Sequence, residues 1–284
     1  MSIQTVQAGR FELISIAVQP ESVRPVPQFF PSADLTSLER VRARLPAMFG
    51  ATTDELRFGQ SLCLLRERES GEVTLIDAGL PPTTEHWMLM DALIELGIKS
   101  EQVAQVFITH RDADHIGGLS DRRKRDGGIT FRHAKHFISR SEWEDFGQDE
   151  ARREWLENNL RPIEQAGLLT IIEANDLEGI ETAPEFAPGL KAVLTSGHRA
   201  GATSVLVDNA VLATADVLHA AFQITHPEVS ITFDQDKELA AQTRGAVVAA
   251  VSEHAWMLHV PHLPPFGLGR VTRGDDGMSY WEPV

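Results

Sequence analysis

Four short apolar runs in this chain each stop on a side chain that can bind a metal ion. The run VAQVFIT at 103–109 leads straight into His110-Arg111-Asp112-Ala113-Asp114-His115-Ile116-Gly117-Gly118. LKAVLT at 190–195 is followed by Ser196-Gly197-His198, AVLATA at 210–215 by Asp216, and AWMLHVP at 255–261 by His262. Apolar runs this short read as buried strands. Open sheets place their sites just beyond strand ends. The chain therefore has to fold so that a ligand-type residue sits at each of these termini.

The rest of the pattern agrees with layered α/β structure. Residues 11–18 read as a strand, and 20–31, with four prolines, as a loop. Helical spacing covers 34–45, with Ser32 or Asp34 as cap, then 82–98, 141–160 and 236–253. Segments 60–67 and 72–77 form a hairpin around Ser70-Gly71. Further short strands fall at 130–138, 168–173, 203–207 and 256–260. A length of 284 residues allows two domains of about 150 each, but the strands come in two batches, each followed by helices. One layered domain over 1–284 is the expectation, with residues 1–58 as an N-terminal strand and lid extension carrying Phe29, Phe30, Met48 and Phe49.

Composition narrows the function. With 26 Lys+Arg against 41 Asp+Glu the net charge is −15, which argues against nucleic acid or an anionic membrane as partner. The basic run 122–125 reads as a solvated loop. No stretch of about 18 apolar residues predicts a transmembrane span, and the first residues lack the pattern of a signal peptide, so a cytoplasmic location is expected. Cys63, the single cysteine, sits between leucines and reads as core; it excludes a multi-cysteine zinc site. His86, His133, His136, His226 and His254 read as surface or core residues, and His259 as core or cavity lining.

The series His110, Asp112, Asp114, His115, His198, Asp216, His262 resembles the metallo-β-lactamase-fold hydrolases, whose motif is His-x-His-x-Asp-His, then Gly-His, Asp and His. Asp77-Ala78-Gly79, Ser139-x-x-Glu142-Trp143, Asp216-Val217-Leu218-His219, Phe233-Asp234-x-Asp236, Thr243-Arg244 and His262-x-x-Pro265-Phe266-Gly267-x-Gly269 are most similar to the branch containing methyl parathion hydrolase. The resemblance implies a four-layer αββα sandwich and two adjacent divalent metals. His110, Asp112 and His198 would hold one, Asp114, His115 and His262 the other, and Asp216 would bridge. Two metals about 3.5–4 Å apart can share a hydroxide that attacks an ester-like bond. A lactone, an aryl ester or a phosphotriester is then the expected small-molecule substrate, with Asp114 holding or relaying a proton. The oligomeric state is left open, a homodimer included.

Three positions depart from the family pattern. Asp112 replaces an imidazole, which keeps zinc as the first expectation but admits manganese or iron. Ala202 stands where many relatives have a His, and Ala215 where a Gly often precedes the bridging Asp. His219 stands where acyl-homoserine-lactone lactonases carry a Tyr that donates to substrate. Either it makes the same donation as a catalytic residue, or a neighbour merely orients it. Asp77 supports a ligand His or the loop backbone, or simply forms a turn. Phe222 and Phe266 are candidate pocket walls. The departures leave one alternative, a non-catalytic ligand-binding or regulatory protein on the same scaffold. Iron-based persulfide oxidation is disfavoured, because that branch uses one iron and fewer ligands.

Overall fold

The computed structural model describes residues 3–83, 87–121 and 128–284; His86 and the basic run 122–125 lie outside them. The first sheet runs in chain order: β1 (Ile3–Ala8), β2 (Phe11–Pro25), β3 (Glu55–Glu67), β4 (Val73–Ile76), β5 (Val103–Ile108), β6 (Lys135–Ser139) and β7 (Leu169–Ile172). It is antiparallel as far as β4 and parallel from β4 to β7. The second contains β8 (Asn175–Asp176), β9 (Glu185–Ala187), β10 (Leu190–Leu194), β11 (Thr203–Val207), β12 (Val211–Ala213), β13 (Met257–His259), β14 (Leu268–Arg273) and β15 (Ser279–Pro283). Its order is β15-β14-β13-β12-β11-β10-β8, with β9 beside β10, and β12 and β13 are parallel.

The apolar runs lack polar alternation because both of their faces are covered. In β5, Phe107 points between the sheets, where it meets Leu65, Phe137 and Phe186. Its neighbours Val106 and Ile108 point the other way, toward Leu89 and Leu93 of the helix Met88–Glu95 and Phe146 of the helix Arg140–Gln148. In β12 and β13, Val211, Ala213 and Met257 face the first sheet, while Leu212 and Leu258 face Val247 and Val251 of the helix Lys237–His254. Three apolar layers therefore separate four layers of structure, α, β, β and α. Burying one Phe or Leu side chain contributes about 1.5–3 kcal/mol, and these layers hold many. Asp34, Ser139 and Asp236 cap the helices that follow them, each accepting from a backbone N–H of the first turn.

The expected loop at 20–31 is a correction. β2 continues through Pro20 to Pro25, and a four-residue helix, Val26–Phe29, follows. Among the described residues this strand pairs beyond Ile16 with β3 alone, so prolines there remove no ladder bond on the open side. Register shifts after Ala17 and Gln19 absorb the mismatch. The helices also differ in extent: among the described residues of 82–98, Met88–Glu95 is helical, and 141–160 breaks after Gln148, with helical backbone resuming at Arg153 and running through a π-helical turn at Leu156–Leu160 to Gln165. Of 130–138, only Lys135 onward is strand. Among the described residues no helix is long and apolar enough to cross a membrane.

Strands β10, β12 and β13 run in the same direction, as do β4 and β5 within their own sheet. The carboxyl ends of these five strands feed the loops that carry the polar cluster.

Candidate active site

The loop after β5 turns sharply in the helical segment Ala113–Ile116 and closes on Gly117 and Gly118. A Cβ on Gly118 would lie 2.1 Å from the Ala78 carbonyl oxygen, and one on Gly117 2.4 Å from Pro81 Cδ. The loop thus lies flush against residues 78–81, and no side chain fits between. Asp216 is delivered differently. Ala215 before it adopts φ +48°, a left-handed conformation that costs a non-glycine residue about 1–2 kcal/mol. That is the physical reason a glycine suits this position.

All seven expected ligand side chains converge, and Asp216 is their centre. Its Oδ2 lies 3.6 Å from His110 Nε2 and 3.5 Å from His198 Nε2. Its Oδ1 lies 3.1 Å from His115 Nε2 and 3.2 Å from His262 Nε2. Asp112 Oδ2 is 3.4 Å from His198 Nε2 and 3.9 Å from His110 Nε2, on the Oδ2 side. Asp114 Oδ2 is 3.6 Å from His262 and 3.8 Å from His115, on the Oδ1 side. His262 Nε2 also lies 3.3 Å from Asp216 Oδ2, and His110 and His115 form a group with Asp216, so the two expected donor sets overlap on this carboxylate. His219 joins the first set, its Nε2 at 3.2 Å from Asp216 Oδ2.

Each of the four expected ligand rings is held from behind through Nδ1, so that Nε2 faces the centre. His115 Nδ1 lies 2.7 Å from Asp77 Oδ2, and Asp77 also accepts from Thr109 N at 2.9 Å. His110 Nδ1 is 3.0 Å from Thr109 Oγ1, whose hydroxyl donates to Asp77. His198 Nδ1 is 3.1 Å from Asp234 Oδ1, itself bound by the buried Arg244 at 3.0 Å. His262 Nδ1 is 3.0 Å from the Gly59 carbonyl oxygen. Asp77 is therefore a support of the cluster. The sequence did not single out Asp234 or Thr109 for such a task, although Asp234 and Arg244 both stand in the segments that carry the family resemblance.

The electrostatics of this cluster call for cations. Burial works against charge on His115, yet Asp216, Asp77 and Asp114 outweigh it and hold the ring well above its usual value. His198 is pushed up to about 9: burial opposes, but Asp112 and Asp234 prevail. Asp216 stays ionised well below the carboxylate range because His115, His262 and His219 overcome its burial. Meanwhile His110 Nε2, His115 Nε2 and Asp216 Oδ1 are buried without a well-aligned hydrogen-bond partner. Converging acceptors with inward lone pairs and a demand for positive charge fit divalent metals, which replace protons on such ligands.

Asp112 sits in an arginine clamp. Its Oδ1 accepts from Arg199 Nε at 2.8 Å and Arg152 Nη1 at 2.7 Å, and its Oδ2 from Arg199 Nη2. Arg111 instead ties the loop to its surroundings, through Glu142 at 3.4 Å, Asp145, and Asp149 at 3.3 Å. Glu142 also accepts from the Arg111 backbone at 2.8 Å, and its burial pushes its carboxyl up to about 8.

The cluster opens into a cavity of about 450 Å³ walled by Phe29, Phe58 and Phe233, with Arg24 at its edge. Phe58 stacks on His262 with centroids 4.6 Å apart. Of the expected apolar residues only Phe29 lines this space. Phe30, Met48, Phe49 and Phe222 are buried in the core beneath, Phe30 edge-on to Phe222 at 4.9 Å. Phe266 turns its carbonyl to Ser15 and Ser61 instead. His259 is buried between the same two serines, away from the cavity, and Cys63 is core. Phe58 escaped notice, and Phe233 was named only within a segment of the family resemblance, because a single aromatic residue in a polar stretch carries no periodic signal.

A family model described as the metallo-beta-lactamase superfamily matches residues 56–250. No curated protein matches the chain in sequence. Among solved structures, the hydrolase AbOPH of the beta lactamase superfamily is similar, with TM-score 0.79 and 20% identity over 99% of this chain and 97% of that one. AidC, a dizinc quorum-quenching lactonase in complex with a product homoserine, gives TM-score 0.78 and 19% identity over 100% and 97%. A B. thuringiensis AiiA mutant with N-decanoyl-L-homoserine at its active site gives 0.61 and 17% over 92% and 94%. At such identities the likeness is one of fold.

Proposed function

This chain belongs to the metallo-beta-lactamase superfamily, and from that premise we propose that it is a dinuclear metal-dependent hydrolase of ester-like bonds. The observation that carries the reading is Asp216, whose carboxylate lies within 3.1–3.6 Å of His110, His115, His198 and His262 and so touches both proposed donor sets. His110, Asp112 and His198 would hold one ion, Asp114, His115 and His262 the second, with Asp216 between. Zinc is the first expectation, with manganese or iron admitted by Asp112. When bound, two such ions supply hydroxide at neutral pH and polarise the oxygen of the scissile group.

The protein's own groups supply the rest. Phe29, Phe58 and Phe233 hold the apolar part of a lactone, aryl ester or phosphotriester and keep water off it. Asp114, the most accessible of the three carboxylates, takes a proton and passes it to the leaving oxygen. Within the N-terminal 1–58, β1 and most of β2 belong to the sheet, and the part that carries Arg24 and Phe29 acts as a lid over the cavity. AidC and AiiA act on or bind homoserine derivatives, which makes lactones the first class to test.

The test is elemental analysis of purified protein, followed by a hydrolysis screen over lactones, aryl esters and phosphotriesters after metal reconstitution. About two ions per chain and turnover of one class are expected. Less than one ion per chain with no turnover sinks the reading. The arginine clamp on Asp112 favours one alternative, a non-catalytic binding protein on this scaffold. An Asp114→Ala variant that leaves every measured activity unchanged would support that alternative.

A further inference from the structure

Among the described residues, a fifth imidazole reaches the central carboxylate. His219 Nε2 lies 3.2 Å from Asp216 Oδ2, nearer than His198 at 3.5 Å or His110 at 3.6 Å. The ring is buried, stacked 5.1 Å from His262 and tilted at 48° to His198 with centroids 4.9 Å apart. Its position is fixed through the backbone: His219 N and Ala220 N both donate to Gln223 Oε1, at 2.7 and 3.1 Å, and Gln223 Nε2 donates to the Val229 carbonyl at 2.8 Å. A turn this well tied aims Nε2 at Asp216, in one potential ligand group with His198.

The same donor set contains a weakened member. A carboxylate oxygen has two lone pairs in its plane. Arg199 and Arg152 occupy both of those on Asp112 Oδ1, and Arg199 takes one on Oδ2. A single lone pair, drained by two guanidinium groups, is left to face His198 and His110. Charge-assisted bonds of this kind are strong, so Asp112 gives up donor strength that an imidazole at that position would keep.

We propose that His219 Nε2 is a further metal ligand at this position, making good the donor strength that Asp112 surrenders to Arg199 and Arg152. The position then carries three imidazoles and two carboxylates. Such a mixed nitrogen and oxygen set suits an ion that accepts five or more donors, such as manganese or iron, better than four-coordinate zinc. The inference rests on the dinuclear reading above. It assigns His219 to the metal and not to the substrate.

Metal-stripped full-length protein is titrated with Co(II), followed by visible absorption and chelator competition, for wild type, His219→Phe and His219→Gln. Wild type takes up two equivalents. In both variants one equivalent binds at least about 10-fold more weakly, the lower bound for losing even an outer support of a ligand, and its absorption bands change. The Gln variant keeps a polar head and reads the effect if the Phe variant does not fold. Wild-type affinity and an unchanged spectrum for both equivalents overturn the proposal, even if turnover is lost, because His219 then acts on substrate or orients a neighbour. Failure of wild type to bind metal is a separate result, which removes the dinuclear reading and this inference with it.

Discussion

The Asp77 carboxylate lies 2.7 Å from His115 Nδ1 and turns the far nitrogen of that ring toward Asp216 Oδ1 at 3.1 Å. Asp77 itself sits at φ +61°, a conformation that Asn adopts as readily as Asp. Asp77→Asn should therefore fold while losing the charge behind the ring. Metal affinity should fall about 10–100-fold, measured by chelator competition, with the circular dichroism spectrum unchanged. Undiminished affinity would show that His115 needs no such support.

Asp234 joins His198 to Arg244, a guanidinium that is itself buried. Asp234→Ala leaves that cation without its carboxylate. Removing one partner of a buried pair typically costs about 3–5 kcal/mol. Urea unfolding of the metal-free variant should show a loss of this size. A loss under about 1 kcal/mol, the range of exposed pairs, would mean that Ser230 and the Pro227 carbonyl suffice for Arg244.

The pH behaviour of the metal-free protein has a defined sign. His198 is raised from 6.5 to about 9 in the folded state. A raised value means that the proton favours folding: the contribution is complete below 6.5 and is lost as pH climbs through 9. Metal-free protein should thus show a falling Tm between pH 6.5 and 9. A metal displaces that proton, so its affinity should rise over the same interval. Calorimetry and metal titration at several pH values check both halves, and a flat profile in both refutes the assignment.

Gly118 is packed against backbone and not against a movable side chain. Gly118→Ala would place its Cβ 2.1 Å from the Ala78 carbonyl oxygen, and the loops at 110–118 and 77–81 would have to separate. Overpacking of this kind costs about 1–3 kcal/mol. Metal affinity should drop together with stability, because Asp77 and His115 sit on the two loops being forced apart. Gly245→Ala, with no atom within 4 Å and an ordinary helical backbone, is the comparison expected to keep the site intact.

Phe58 covers one face of His262 at 4.6 Å and forms part of the cavity wall. Phe58→Ala should raise KM for an apolar ester more than it lowers kcat, since the ring touches the substrate body and not the reacting atoms. A loss confined to kcat would place Phe58 among the positioning groups of His262 instead.

The candidate ligand series and its chain order are legible in the sequence alone. His110, Asp112, Asp114, His115, His198, Asp216 and His262 each follow a short apolar run, and runs of this length read as strands buried on both faces. The layered α/β class is legible there too, because runs of this kind need helices to cover them. Tertiary structure decided everything that depends on a partner distant in the chain. Asp234 reaches His198, and Gly59 reaches His262 across 203 residues. Arg152 and Arg199 close on Asp112, and no local spacing encodes that meeting. The course of residues 20–25 was decided in the same way. Prolines read as a loop locally, yet an open strand edge accepts them, and only the pairing of β2 with β3 reveals that the edge is open. Periodicity records which faces of an element are dry; which side chains meet is settled when those faces pack.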